Sequence, residues 1–216
     1  MKKIILIAAI VMAAISVKAQ DPVGTISLKP MAGFTASSLS NQDIYYTIGS
    51  EEGTVNSSMK AGFIGGLEAE YQATKIFGVS VGLLYSMQGC TWENFSVGDA
   101  NGTTWTTVTK DASVNLGYIN IPILAKVYVI KGLAVKAGVQ PGFLVSAKSK
   151  NDGKSNDFKS DCKTFDFSIP VGASYEFSKF VIDARYNFGL TKVNKEGDDS
   201  KKNGVIQITL GYKFAL

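Results

Sequence analysis

Alternation of apolar and polar residues is the feature that most constrains the fold of this chain. Between Phe77 and Gln88 the even positions are glycine, serine or glutamine, with Leu84 as the exception. The odd positions are all apolar: Phe77, Val79, Val81, Leu83, Tyr85 and Met87. Because side chains of a β-strand point alternately to opposite faces, this pattern predicts a long strand with two chemically different faces. The same alternation recurs along most of the chain after residue 24 and predicts an all-β fold.

Eight segments of the chain carry the strand pattern. They are Thr25–Ser37, Ser58–Ala73, Phe77–Thr91, Ala112–Val129, Leu133–Lys148, Cys162–Phe177, Phe180–Val193 and Gly204–Phe214. Three of the links between them are tight turns. The other four, residues 38–57, 92–111, 149–161 and 194–203, are long and rich in polar residues and glycine. An even number of strands with alternating short and long links predicts an antiparallel up-and-down transmembrane β-barrel, with short periplasmic turns and long external loops.

The two faces of the predicted strands differ in charge. One parity is apolar throughout, as in Ile206, Ile208 and Leu210 of the last strand, and is expected to face lipid. The other parity carries Lys29, Glu68, Glu70, Lys126, Lys136, Asp166, Glu176, Asp183, Arg185 and Lys213. An eight-stranded barrel is just filled by its inward side chains, so these ten residues are expected to form a charge network in the lumen. Two interpretations of this network are open: a structural ion-pair plug, or a gated polar path for small ions.

A soluble sandwich or lipocalin-like barrel is the main alternative, because it also alternates, with apolar residues inside. Glycines such as Gly78, Gly82 and Gly172 lie on the charged parity, which suits a crowded lumen better than a wet surface. Aromatic residues gather near the strand ends, as expected at lipid interfaces. The apolar parity is almost free of charge, and a Lys or Arg at the bilayer midplane would cost roughly 2–4 kcal/mol. The membrane barrel is therefore favoured.

The first nineteen residues read as a cleaved signal peptide. A basic start, Met1 to Lys3, precedes an apolar run over Ile4–Val17, and Val17-Lys18-Ala19 fits the small-residue rule for cleavage after Ala19. The alternative is an uncleaved anchor helix. Residues 20–216 then form a single barrel domain. The formal net charge of +4 includes three lysines that leave with the signal, so no basic surface for nucleic acid is expected.

Several motifs resemble a known family. One segment, Leu116-Gly117-Tyr118-Ile119-Asn120-Ile121-Pro122-Ile123-Leu124-Ala125-Lys126, is similar to the tyrosine…isoleucine-proline-leucine-leucine…lysine strand of a family. The family is the porin-like outer membrane β-barrel domain proteins of Gram-negative bacteria, which are similar in build to OmpA/OmpX-type barrels. Gly62 to Gly66, Gly82 to Ser86 and Arg185 to Leu190 resemble that family's second, third and seventh strands. The resemblance covers about Thr25 to Phe214. It implies an outer-membrane location with lipid and lipopolysaccharide around the barrel, and it carries no catalytic residues.

The end of the chain resembles the signal that the barrel insertion machinery reads. Within Leu210 to Phe214 the residues concerned are Gly211, Tyr212 and Phe214, although two further residues follow where many relatives end on the aromatic. The resemblance therefore implies the insertion machinery as a partner. A monomer is expected.

The chemistry of the chain argues against an enzyme. It contains no histidine, which excludes histidine-based triads and histidine–metal sites, and no cofactor or metal site is expected. Cys90 and Cys162 are the only cysteines and lie near the outer rim. Export favours a disulfide between them, but positions across a barrel join only if the loops fold inward, so two separate thiols are the alternative.

Three functions remain open on this reading. The first is a non-catalytic, porin-like or structural envelope protein with a polar, ion-paired lumen. The second is a surface protein that binds or adheres through its four long external loops, with an unidentified ligand. The third and weakest is a soluble ligand-binding barrel.

Overall fold

The computed structural model describes residues 21–40, 43–48, 51–92, 95–98, 105–109, 112–195 and 201–216. The predicted signal peptide and its cleavage site lie outside the described residues. No helix among the described residues is long and apolar enough to cross a bilayer.

Eight long antiparallel strands form a closed ring. They are β1 (Ile26–Leu39), β2 (Ser57–Gln72), β3 (Phe77–Trp92), β4 (Ser113–Asn120 and Ile123–Ile130), β5 (Leu133–Asn151), β6 (Phe165–Phe177), β7 (Phe180–Gly189) and β8 (Asn203–Tyr212, continued by Phe214–Ala215). Each strand pairs with its neighbours in sequence. The last strand pairs with the first from Met31 opposite Gly211 to Leu39 opposite Asn203, and this closes the barrel. The predicted eight-stranded antiparallel barrel is confirmed.

The fourth strand is interrupted, whereas the sequence predicted one continuous strand over residues 112–129. Ile121 and Pro122 leave the ladder because proline has no backbone N–H to donate. The backbone N–H of Gly82 still donates to the Pro122 carbonyl at 2.9 Å, and that of Ile121 donates to the Pro141 carbonyl at 2.9 Å. The break therefore leaves the barrel wall closed.

The links also differ in detail from the prediction. The first loop contains a hairpin of Ile44–Ile48 with Glu51–Val55, and the second a hairpin of Phe95–Gly98 with Trp105–Thr109. In the third, Lys154–Asp157 folds back on the end of β5 before a short 3₁₀ turn over Lys159–Asp161. The sixth strand begins at Phe165 rather than Cys162, and the seventh ends at Gly189 rather than Val193. Beyond these two ends the two segments stay paired, because Lys163 N–H donates to the Val193 carbonyl at 2.7 Å and Cys162 forms an isolated β-bridge with Asn194.

Three tight turns join strands at the opposite end. The turn between β4 and β5 uses Lys131 and Gly132, and Gly132 has φ 81°, a left-handed conformation that glycine adopts without a side-chain clash. These turns agree with the prediction of short links after β2, β4 and β6.

The outer wall of the barrel is apolar. Ile208 and Leu210 on β8 are 55% and 52% exposed, and similar residues cover the neighbouring strands. Leaving so much apolar surface in water would be costly, which is why such a wall requires lipid. Leu84, the exception to the alternation, is instead buried inside with Met31 and Ile64.

Aromatic side chains form rows near the two ends of this wall. At the end with the tight turns, ring centroids of Phe177 and Phe180 lie 5.7 Å apart, those of Phe180 and Tyr212 5.1 Å, and those of Tyr212 and Phe214 4.7 Å. Toward the long loops, Phe143 and Phe165 are separated by 5.8 Å. Such rows suit the two membrane interfaces, where one side of a ring is apolar and the other wet.

Candidate functional site: the barrel interior and its external mouth

All ten charged residues of the polar parity are at most 5% exposed in the barrel interior. Nine of them form two ion clusters. The central cluster consists of Lys29, Glu68, Lys136, Asp183 and Arg185. The turn-side cluster, nearer the tight turns, consists of Glu70, Lys126, Glu176 and Lys213, together with Asp21.

Glu68 is the hub of the central cluster. Lys29 lies directly opposite Glu68 in the β1–β2 ladder, and its Nζ donates to Glu68 Oε1 at 2.6 Å. Arg185 Nη2 donates to Glu68 Oε2 at 2.7 Å, and Lys136 Nζ lies 3.5 Å from Oε1. One carboxylate thus faces three cations, and the second carboxylate of the cluster, Asp183, offsets a further part of their charge.

Asp183 binds the two cations on the other side of the cluster. It accepts from Lys136 Nζ at 2.7 Å and from Arg185 Nε at 2.5 Å. Gly172 lies between Lys136 and Arg185 in the strand register, so that two long side chains enter the lumen with no side chain between them. A Cβ at Gly172 would also lie 2.1 Å from the Ala184 carbonyl oxygen, so the close approach of the neighbouring backbone requires glycine here.

In the turn-side cluster two lysines hold three carboxylates. Lys126 binds Glu70 and also donates to Glu176 Oε1 at 2.6 Å. Lys213 donates to Glu70 Oε1 at 2.9 Å and to Glu176 Oε2 at 3.2 Å, and it pairs with Asp21 at 2.9 Å. The excess of one negative charge here offsets the excess of one positive charge in the central cluster.

Two members of this cluster were not predicted from the sequence. Asp21 precedes the first strand, where the alternation gives no signal. Tyr128 donates its hydroxyl hydrogen to Glu176 Oε1 at 2.8 Å, and the ammonium of Lys126 lies 4.6 Å from its ring centroid. Tyr128 shares the parity of Lys126, which was the one signal that could have identified it.

Asp166 lies apart from both clusters. Its Oδ1 accepts from the Thr191 hydroxyl at 2.7 Å, and it belongs to a layer of amide and hydroxyl side chains closer to the external end. In that layer Asn120 Nδ2 donates to Ser86 Oγ at 2.9 Å. Both side-chain polar atoms of Asn187 lack a hydrogen-bond partner among the described residues. The predicted network of ten is therefore two clusters, of five and four residues, plus one carboxylate that belongs to neither.

At the external end of the barrel, backbone hydrogen bonds join the segments around the third and fourth loops. Lys163 N–H donates to the Val193 carbonyl at 2.7 Å, and Lys195 N–H donates to the Asp161 carbonyl at 3.0 Å. Cys162 pairs with Asn194 in an isolated β-bridge. The third and fourth loops therefore form one paired surface.

This surface encloses a cavity of about 370 Å³. Its apolar lining comes from two loops and two strands: Leu39, Val114, Leu116, Phe158 and Val193. Its polar lining includes Lys195 and Lys201. A volume in this range is typical of small-molecule sites, which are mostly apolar with a few polar groups.

The two cysteines lie in the apolar cluster below this cavity and are free thiols. Both are buried, and Cys162 also lines the cavity. Burial raises the pKa of the Cys162 thiol, and the nearby Asp161 carboxylate raises it further. The disulfide considered from the sequence is not formed in this structure.

A closed ring of eight two-faced strands, apolar outside and ionic inside, defines a transmembrane β-barrel. Residues 18–195 match the model of the outer membrane protein beta-barrel domain, and the chain belongs to this family. It is accordingly a protein of the Gram-negative outer membrane, and its apolar wall contacts membrane lipid. No curated protein matches the sequence.

Several solved structures are similar to this chain. Neisserial surface protein A (NspA) is 14% identical, with a TM-score of 0.50 over 88% of this chain and 97% of its own. Ail, the attachment invasion locus protein of Yersinia pestis, is 19% identical, with a TM-score of 0.46 over 89% of this chain and 100% of its own. The N-terminal β-barrel domain of Pseudomonas aeruginosa OprF is 10% identical, with a TM-score of 0.36 over 90% of this chain and 100% of its own. At these identities the likeness to NspA concerns the fold alone.

Proposed function

We propose that this protein is a non-catalytic structural component of the outer membrane whose lumen is sealed by its two ion clusters. The observation that carries the proposal is their burial: Lys29 and Glu68 are 0% exposed, and Lys126 is 1% exposed. A water-filled pore past these side chains would leave them in contact with solvent. Porins with 16–18 strands leave an aqueous channel, whereas eight strands leave an interior that side chains fill.

The same burial argues against catalysis. A general acid or base must reach a substrate, and Glu68, Glu70 and Glu176 are each bound to at least two cations out of contact with water. The chain also has no histidine to take that role.

Conductance in planar lipid bilayers tests the sealed lumen. The folded protein, verified by heat-modifiable migration in gels, is expected to give no current above that of a protein-free membrane. The matched control is a variant with Lys29, Glu68 and Arg185 all changed to alanine, which removes most of the central cluster and is expected to raise the current. Discrete current steps from the native protein would reject the proposal and favour the porin-like alternative.

A surface-binding role is the second candidate, and the paired loops with their cavity favour it. Replacing the third and fourth loops with short turns, while keeping all eight strands, is expected to abolish adhesion to whichever surface the native protein binds. The control replaces the second loop, residues 93–111, which is not part of the Lys163–Val193 and Lys195–Asp161 pairing. Unchanged adhesion after loss of the third and fourth loops would rule this candidate out.

We also propose that residues 1–19 are removed as a signal peptide and that the barrel insertion machinery recognises the end of β8. Support comes from Phe214, which is 49% exposed on the outer wall, while Gly211 faces inward. Changing Phe214 to alanine should lower the amount of protein in the outer membrane more than changing Leu216. Equal amounts would refute the role of Phe214.

A further inference from the structure

The cavity at the external mouth is lined by apolar side chains in one part and by lysines in another, and a ligand that fills it would have to match both. Its apolar side chains lie at the bottom, where Leu116 is 1% exposed and Val193 is 6% exposed. Its lysines lie at the top, where Lys195 is exposed and Lys201 is half-buried. The ligand that fits this gradient has an apolar body and a charged head.

The charged residues at the rim of the cavity determine the sign of the charge that the head of the ligand should carry. Two ammonium groups, Lys195 and Lys201, share it with one carboxylate, Asp161. Lys195 Nζ donates to the Ser160 carbonyl at 2.6 Å, and Asp161 Oδ1 accepts from the Ser160 hydroxyl at 3.0 Å. Lys195 already donates to a backbone carbonyl, whereas Lys201 has no ion-pair partner among the described residues, so Lys201 is the better placed of the two to meet an anionic head.

The site is also held in shape before any ligand arrives. Val193 N–H donates to the Lys201 carbonyl at 2.8 Å, and Phe158 N–H donates to the Ala147 carbonyl at 3.1 Å. Lys202 N–H donates to Ser40 Oγ at 2.9 Å, which ties the fourth loop to the end of β1. A preorganised site loses less entropy on binding than a mobile loop would.

We infer that this cavity binds a single-chain amphipathic anion, an alkyl carboxylate, with its chain against Leu116 and Val193 and its carboxylate at Lys201. This inference deepens the surface-binding candidate and rests on the external loops serving as a binding surface. It is independent of whether the lumen conducts.

Quenching of Trp92 fluorescence tests the inference directly, because Trp92 packs against the apolar cluster beneath the cavity. Trp105→Phe removes the only other tryptophan. The protein is placed in phosphatidylcholine nanodiscs and titrated with 11-bromoundecanoate, whose terminal bromine quenches nearby indole. Saturable quenching is expected, and about fourfold weaker binding for each methylene removed from the chain.

Charge variants distinguish the cavity from simple partition into the bilayer. Lys201→Gln should weaken binding about tenfold, the loss expected for one charged contact. Lys192→Gln is the matched control, because Lys192 is an exposed lysine on the same loop that does not line the cavity. A trimethylammonium analogue of the same chain should bind more weakly than the carboxylate.

Equal affinities for the two lysine variants, or for the two head groups, would overturn the inference. Quenching that does not saturate would overturn it as well, since it would report partition into lipid. Adhesion that depends on the loops, without saturable quenching, would leave the surface-binding candidate standing and reject only this ligand.

Discussion

Replacing Glu68 with glutamine removes the charge at the hub of the central cluster while keeping the shape of the side chain. Three cations, Lys29, Lys136 and Arg185, would then face Asp183 alone in an interior closed to water. Removing one partner of a buried ion pair typically costs about 3–5 kcal/mol, because the remaining charge stays buried without compensation. We expect Glu68→Gln to lower the free energy of unfolding by that amount.

The assay is equilibrium unfolding in urea with the barrel in phospholipid vesicles, followed by tryptophan fluorescence and by heat-modifiable migration. Asp152→Asn is the matched control, because this acidic residue is exposed in a loop and its loss should change stability by less than about 0.5 kcal/mol. Lys29 has Glu68 as its one ion-pair partner among the described residues. The double variant Lys29→Met with Glu68→Gln should therefore cost less than the two single changes added, by about 0.5–3 kcal/mol.

A loss of no more than about 1 kcal/mol for Glu68→Gln would refute this reasoning, because that is the size expected for a solvated ion pair. It would mean that water reaches the centre of the lumen. Strict additivity in the double variant would separately show that the contact between Lys29 and Glu68 carries no energy.

Three further predictions concern other parts of the molecule. Asp21→Asn should lower the free energy of unfolding in the same urea assay, because the turn-side cluster loses one of the three carboxylates that Lys213 binds, the one at 2.9 Å on Asp21. An unchanged free energy of unfolding would show that this carboxylate is dispensable. Gly211→Val should cost about 1–3 kcal/mol by overpacking, since a Cβ there would lie 2.8 Å from Lys29 Cγ; wild-type stability would contradict the packing described. Cys162 should react slowly with iodoacetamide at neutral pH in the folded protein and rapidly in urea, because burial raises its pKa and hides its sulfur; fast labelling of the folded protein would contradict this.

Alternation was sufficient to predict the fold because each barrel strand presents one face to lipid and one to the lumen. The charges at Glu68, Lys126 and Arg185 marked the inner face without any knowledge of their partners. Pro122 was predicted to lie within a continuous strand because the alternation of its neighbours is unbroken. Its missing backbone N–H interrupts the hydrogen-bond ladder and leaves that alternation intact.

The ion-pair partner of each charged residue was harder to predict from the sequence than the face of the strand on which that residue lies. Lys126 and Lys136 lie directly opposite each other in the β4–β5 ladder, yet they bind different carboxylates in different clusters. Which carboxylate each lysine reaches depends on the stagger and tilt of the strands, and the alternation of residues does not contain that information.

The external cavity could not be predicted because it depends on contacts between loops that are distant in sequence. Val193 was assigned to the end of a strand on its alternating pattern, but its carbonyl accepts from Lys163 and its side chain lines the cavity. Polar loop composition indicates exposure and turns, and it carries no signal for such pairing.

Methyl NMR in nanodiscs, with a spin label attached to the lipid tails, tests the orientation of the barrel faces most directly and needs no mutation. Ile208 and Leu210 on the outer wall should be strongly broadened by the label. The methyl groups of Ile64, Leu84 and Val205, which are 0–2% exposed inside the barrel, should keep their intensity. Equal broadening of the two sets, or broadening of the inner set alone, would contradict the placement of apolar side chains against lipid and ionic side chains within the barrel.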